Sequence, residues 1–143
     1  MTHIFVDTDI ILDIITGRQP FSIEASRLFT LIEEEALVAY ASSLSFSNLY
    51  DVLRKYASHQ KVVARLDEVS DLLKILNVDE SIVKTALRSR FKDFEDALQY
   101  YSAQGNSLID VIITKNTKDF KPSELPVMTP ETFLKTYEHT QDT

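Results

Sequence analysis

The order of apolar segments is what most restricts the fold of this chain. Short runs that do not alternate with polar residues lie at His3–Val6, Ala36–Tyr40, Ile75–Val78, Leu108–Thr114 (core Val111–Ile113) and Leu125–Met128. Between them, apolar residues recur at helical spacing: Ile10, Ile11, Ile14 and Ile15; then positions 21, 25, 28, 29 and 32; then Leu44, Leu49, Val52 and Leu53. Val62, Leu66, Val69 and Leu73 form the next stripe, Ile82, Val83, Ala86 and Leu87 another, and Phe94, Ala97, Leu98 and Tyr101 a sixth. Thr129 as N-cap with Pro130 at the first helical position opens a last helix to about Glu138. A break is expected from Gly17 to Pro20. Unalternated strands separated by helices predict a parallel sheet covered on both faces. Polar sites in such sheets gather beyond the carboxyl ends of the strands. With 143 residues, 44% of them hydrophobic, the chain suits one domain over residues 1–143, with 139–143 expected as a frayed tail.

Composition removes most chemistries. Gly17 and Gly105 are the two glycines, which excludes GxGxxG fingerprints and P-loops. The absence of cysteine excludes disulfides, thiol nucleophiles and Cys-type zinc sites, and His3, His59 and His139 are too scattered for a helical zinc pair. Metal chemistry here has to be hard and carboxylate-based. The net charge of −7 argues against a passive phosphate-coating module. If the chain handles nucleic acid, part of that acidity belongs in a metal site, where a divalent cation reverses the local sign. Asp7, Asp9 and Asp13 interrupt the apolar N-terminal run, so neither a leader nor a membrane span is expected, and a reducing cytoplasm is the default compartment.

The strand-end rule yields a short set of candidates. Asp7 closes the first strand; it either caps the following helix or, with Thr8 or Asp9 in that role, is free for chemistry. Asp9 and Asp13 read as a solvated helix face. Asp93 and Asp96 share one flank of their helix, where two acids either complement the macrodipole or await a cation, and Glu95 points elsewhere into solvent. Asn48 sits on the inward side of the third helix, as a buried amide or a site residue. Asn116 and Asp119 follow the late strand, as turn formers or as site residues. Carboxylates around one point suit Mg²⁺ or Mn²⁺, and a bound cation makes water a nucleophile for phosphodiester hydrolysis.

Val6-Asp7-Thr8-Asp9, Asp96-Ala97-Leu98-Gln99 and Ile113-Thr114-Lys115-Asn116 with Asp119-Phe120 resemble, in order and spacing, the PIN domain, the nuclease fold of VapC-type toxins. Asp93-Phe94-Glu95-Asp96 with Thr114-Lys115-Asn116 is most similar to the branch of small stand-alone PIN proteins. The resemblance implies a three-layer α/β/α sandwich with a central parallel sheet of about five strands, Mg²⁺- or Mn²⁺-dependent endoribonuclease activity, homodimers, and an antitoxin partner that inserts a segment into the site. It implies Asp7, Asp96 and Asp119 as metal ligands, with Asp93 and Asn116 beside them and Asn48, Thr8 and Thr114 in support. Asn116 stands where many members have Asp, and Asn48 where toxin-type members carry Glu; these amides remove up to two negative charges and weaken metal affinity. Arg88, Arg90, Lys92, Lys115 and Lys118 are the candidate RNA contacts.

Two other readings compete. The Asp7-Thr8-Asp9 opening also resembles aspartate-nucleophile phosphatases, with Asp7 as the nucleophile that becomes phosphorylated and Asp9 as acid. A PIN fold retained as a binding or regulatory partner is the second, motivated by Asn48 and Asn116. If the acids cluster, Asp7→Asn and Asp96→Asn are both expected to raise the thermal stability of the metal-free protein.

Overall fold

The computed structural model describes residues 1–17 and 21–141. Among these, five strands form one sheet: β1 (Thr2–Val6), β2 (Leu37–Ser42), β3 (Lys74–Leu76), β4 (Val111–Ile113) and β5 (Val127–Met128). Their spatial order is β3-β2-β1-β4-β5, and every pairing is parallel. Seven helices accompany them: α1 (Thr8–Thr16), α2 (Phe21–Glu33), α3 (Ser43–Leu53), α4 (His59–Ser70), α5 (Glu80–Leu87), α6 (Phe94–Gln104) and α7 (Pro130–Gln141), with a 3₁₀ turn at Thr117–Phe120.

The pleat sends alternate strand residues to two cores. Ile4 and Val6 of β1, Ala39 and Ala41 of β2, and Val111 and Ile113 of β4 pack with α1–α4 and α7. Phe5, Tyr40 and Ile112 face the other way, against Tyr100 and Ala103 of α6 and against Phe120. A third cluster joins Ala86 of α5 to Ala97 and Leu98 of α6. The result is the expected α/β/α sandwich. Ile4, Ile112 and Ile113 are fully buried, and each such side chain contributes about 2 kcal/mol by leaving water. The centre of the sheet is therefore a closely packed base for the first polar residues after it.

Element ends differ from expectation in a few places. The third strand ends at Leu76 instead of Val78, because Val78 packs into the α5–α6 cluster and Asp79 caps α5 through its contact with the Ile82 N–H. The last helix runs to Gln141, three residues past Glu138, while 142–143 lie outside the described residues. Gly17 stops α1 in the left-handed conformation (φ 64°), its N–H bonded to the Asp13 carbonyl at 2.9 Å. The remainder of the expected break, 18–20, lies outside the described residues. Among the described residues no helix is long and apolar enough to cross a membrane.

Candidate active site

Strand order reverses direction at β1: the chain builds outward through β2 to β3, then returns to place β4 on the other side of β1. The carboxyl ends of β1 and β4 flank this switch point, where a crevice opens in folds of this kind. The crevice is a hollow of about 300 Å³, lined by Asp7, Thr8 and Asp9 from the β1–α1 junction, Asn48 from α3, Asp93, Glu95, Asp96 and Gln99 from α6, and Asn116 and Asp119 from the segment after β4. Leu12, Leu49 and Val52 give it one apolar wall. A larger hollow of about 390 Å³, beside Asp13, Lys115 and Pro130, holds none of these acids; its own are Asp13, Glu24 and Glu131.

Asp7 is the fixed point of the site. It occupies the N-cap position of α1, yet among the described residues its carboxylate caps no helix N–H. Thr114 Oγ1 donates to Asp7 Oδ2 at 2.7 Å, and Gln99 Nε2 donates to Oδ1 at 2.9 Å. The Asp7 N–H meanwhile reaches the Ile113 carbonyl at 3.0 Å, extending the β1–β4 ladder by one residue. Burial holds the Asp7 carboxyl above its ordinary range, opposed by the Thr114 and Gln99 hydrogen bonds, which favour the charged form. Gln99 Oε1 accepts from the Thr8 N–H at 3.2 Å and from Thr8 Oγ1 at 3.3 Å, and Thr8 Oγ1 shares a 2.7 Å hydrogen bond with Ser45 of α3. Three helices are thus tied to one carboxylate.

Asp96 lies on the first turn of α6, half-buried, with its carboxyl pushed up to about 7. Burial is the main cause, and the like charges of Asp7, Asp93, Asp119 and Asp9 add to it. Asp93 does two things: it lines the hollow, and its Oδ1 caps α6 by accepting the Asp96 N–H at 3.0 Å. Asn116 and Asp119 are exposed at the lip, and the Asn116 N–H donates to Thr114 Oγ1 at 3.2 Å. Asn48 is half-buried there, its amide donating to Glu95 Oε2 at 3.3 Å.

Several expected placements are corrected. Glu95 is exposed, as expected, but lines the rim of the hollow, where it meets Asn48. Asp9 also lines the hollow instead of sitting on a solvated face. Asp13 is 1% exposed and paired with Lys115, whose Nζ lies 3.1 Å from Oδ2 and 3.2 Å from Oδ1. Lys115 therefore faces Asp13, where a phosphate contact was expected; a buried carboxylate is a stronger attractor for an ammonium than solvent is. Arg88, Arg90, Lys92 and Lys118 are all exposed and none lines the hollow. Gln99 and Ser45 carry no role in the sequence reading, although Gln99 follows Asp96 by three residues, a spacing that puts both on one flank of α6.

Comparison with known proteins follows the same outline. A toxin–antitoxin complex from Klebsiella pneumoniae is 28% identical, with a TM-score of 0.64 over 88% of this chain and 96% of that one. A FitAcB structure from Neisseria gonorrhoeae is 19% identical, with a TM-score of 0.66 over 90% and 98%. A sarcin-ricin-loop-cleaving toxin of Mycobacterium tuberculosis is 19% identical, with a TM-score of 0.59 over 76% and 86%. No curated protein matches the chain significantly. The PIN domain model matches residues 3–118, from the start of β1 to the 3₁₀ turn that carries Asp119. With the fold, the strand order and that match in agreement, the chain belongs to the PIN domain family.

Proposed function

We propose that the chain is a divalent-metal-dependent endoribonuclease that hydrolyses RNA phosphodiester bonds, and that it is the toxin of a toxin–antitoxin pair. The observation that carries this reading is the meeting of Asp7, Asp96 and Asp119, from β1, α6 and the segment after β4, around one hollow at the switch point. The toxin–antitoxin complex from Klebsiella pneumoniae supports the second half of the reading, as does the RNA-cleaving toxin among the structural neighbours.

The donor chemistry fits Mg²⁺ or Mn²⁺. All candidate ligands are oxygen donors, and a carboxyl raised to about 7 among like charges gains by facing a cation. Among the described residues, no three His, Cys, Asp or Glu side chains already converge tightly enough to hold an ion. Mg²⁺ keeps several waters and is commonly held by one or two carboxylates together with substrate phosphates. Asp7, Asp96 and Asp119 would hold the ion; when bound, it lowers the pKa of a water and stabilises charge on the phosphoryl oxygens.

Thr114 and Gln99 favour the charged form of Asp7 against its burial and aim it, while Thr8 and Ser45 fix Gln99. Asp93 fixes the start of α6 and thereby Asp96. Asn116 and Asn48 border the hollow as neutral groups able to orient water. Arg88, Arg90, Lys92 and Lys118, exposed on segments flanking α6 and the 3₁₀ turn, contact the RNA backbone. A homodimer, an antitoxin that fills the site and a cytoplasmic location complete the reading.

The test is cleavage of structured and unstructured RNA in EDTA and in saturating Mn²⁺. Cleavage is expected with Mn²⁺ alone and is expected to vanish on chelation. The loose donor arrangement favours one rival, a PIN fold that binds without cutting. Absence of cleavage together with absence of Mn²⁺ binding heat would establish that rival.

A further inference from the structure

Six carboxylates line the hollow among the described residues: Asp7, Asp9, Asp93, Glu95, Asp96 and Asp119. Their commitments differ. Asp93 is engaged in capping α6, and Glu95 is exposed and held at the rim by the Asn48 amide. Asp9 is half-buried on the first turn of α1, two residues after the immobilised Asp7, and among the described residues neither a hydrogen bond nor an ion pair restrains its carboxylate. A half-buried carboxylate that lines one hollow with five others, and that no donor holds, is placed to face a cation.

We propose that Asp9 is a further metal-facing carboxylate of this site, supplying from α1 part of the negative charge that Asn48 and Asn116 do not provide. The inference rests on the metal-dependent reading given above. The alternative is that Asp9 merely complements the positive N-terminal end of α1. That explanation accounts for an acid on the first turn but not for its lining the same hollow as Asp7 and Asp96. Electrostatics run the same way: burial raises the carboxyls of Asp7 and Asp96 most, and the charge of Asp9 raises both further. Asp9 therefore senses the two acids with which it would share an ion.

The two explanations give opposite signs for Asp9→Asn. The comparison variant is Asp51→Asn, the same change of charge at an exposed position of α3 that does not line the hollow. Calorimetric titration with Mn²⁺, without RNA, is expected to show affinity for Asp9→Asn weakened about tenfold or more relative to wild type, with Asp51→Asn unchanged. In EDTA, Asp9→Asn is expected to melt above wild type, because one like charge has left the cluster; a mere helix-end role predicts melting below wild type. Wild-type binding with Asp9→Asn equal to Asp51→Asn overturns the inference and leaves the metal-dependent reading standing. Wild-type protein that shows no Mn²⁺ binding overturns both.

Discussion

Replacing Asp96 by asparagine is expected to reduce RNA cleavage by about 100-fold or more while raising the melting temperature of the metal-free protein at pH 8. Loss of groups that only orient metal ligands commonly costs 10–100-fold, so removing a direct ligand should cost at least as much. The stability gain follows from linkage. The Asp96 carboxyl is raised to about 7, by burial first and then by Asp7, Asp93, Asp119 and Asp9. In the unfolded chain it titrates near 3.9. Between those values the folded state holds a proton that the unfolded state has released, so stability falls as pH rises from about 4 to 7 and stays low above it. Asparagine carries no charge to expel and removes this loss. Because Asp96 is only half-buried, solvent screening reduces the effect to roughly 1–2 kcal/mol, or some 3–6 °C for a chain of this size. Melting in EDTA at pH 5 and pH 8 checks the sign: the advantage of Asp96→Asn should be small at the lower pH and full at the higher. A variant that melts below wild type at pH 8 would mean that Asp96 has a partner for its charge.

Asp7→Asn is expected to behave differently, although its carboxyl is also raised by burial. Both Asp7 oxygens accept from donors, Thr114 at 2.7 Å and Gln99 at 2.9 Å. An amide with its oxygen toward Gln99 presents its NH₂ to the Thr114 hydroxyl, which must then turn from donor to acceptor while it also accepts the Asn116 N–H. Gln99 cannot simply flip its amide, because its Oε1 already accepts from Thr8. The relief of charge is thus offset by the loss of two charge-assisted hydrogen bonds in a buried network, worth about 1–3 kcal/mol. Metal-free Asp7→Asn should melt at or below wild type, in contrast to the gain that charge relief alone predicts. A rise equal to that of Asp96→Asn would show the hydrogen bonds to be dispensable.

How much of this was legible depends on how local each signal is. The sheet was readable because Ile4–Val6 and Val111–Ile113 are apolar on both faces, the mark of a strand buried twice over. Asp7 and Asp96 were readable because Asp7 closes an apolar strand and Asp96 opens the Asp96-Ala97-Leu98-Gln99 run, in the order and spacing of the PIN pattern. Asp9 was not, because the first turn of a helix is an ordinary place for an acid and only tertiary placement turns it toward a hollow. Asp13 was misplaced on the solvated side. It does follow buried Ile10 by three residues, a spacing that points it inward, but a buried acid requires a counter-ion, and Lys115 lies 102 residues further along the chain. Glu95 needed Asn48, 47 residues away, to draw it across the mouth of the hollow. Periodicity reports which side of a helix is apolar, and it says nothing about which distant side chain will meet the polar side.

Lys115→Met is accordingly expected to be strongly destabilising. Methionine retains most of the apolar stem but removes the ammonium facing Asp13, a carboxylate only 1% exposed. Removing one member of a buried ion pair costs about 3 kcal/mol here, because the remaining charge keeps less compensation in a medium of low dielectric. The melting temperature should fall by roughly 10 °C. The reverse change, Asp13→Asn, should cost about half as much, since Lys115 is 17% exposed and its ammonium can turn toward water. The damage should also reach the acids, because Lys115 stands between Thr114, which holds Asp7, and Asn116, which lines the hollow. Lys115→Met is therefore expected to weaken Mn²⁺ binding at temperatures where the protein remains folded, although Lys115 does not line the hollow itself. Equal losses from the two substitutions would contradict the unequal burial of the pair. A destabilised Lys115→Met protein with unchanged Mn²⁺ affinity would show that the Asp13–Lys115 pair holds α1 to the sheet without positioning the site.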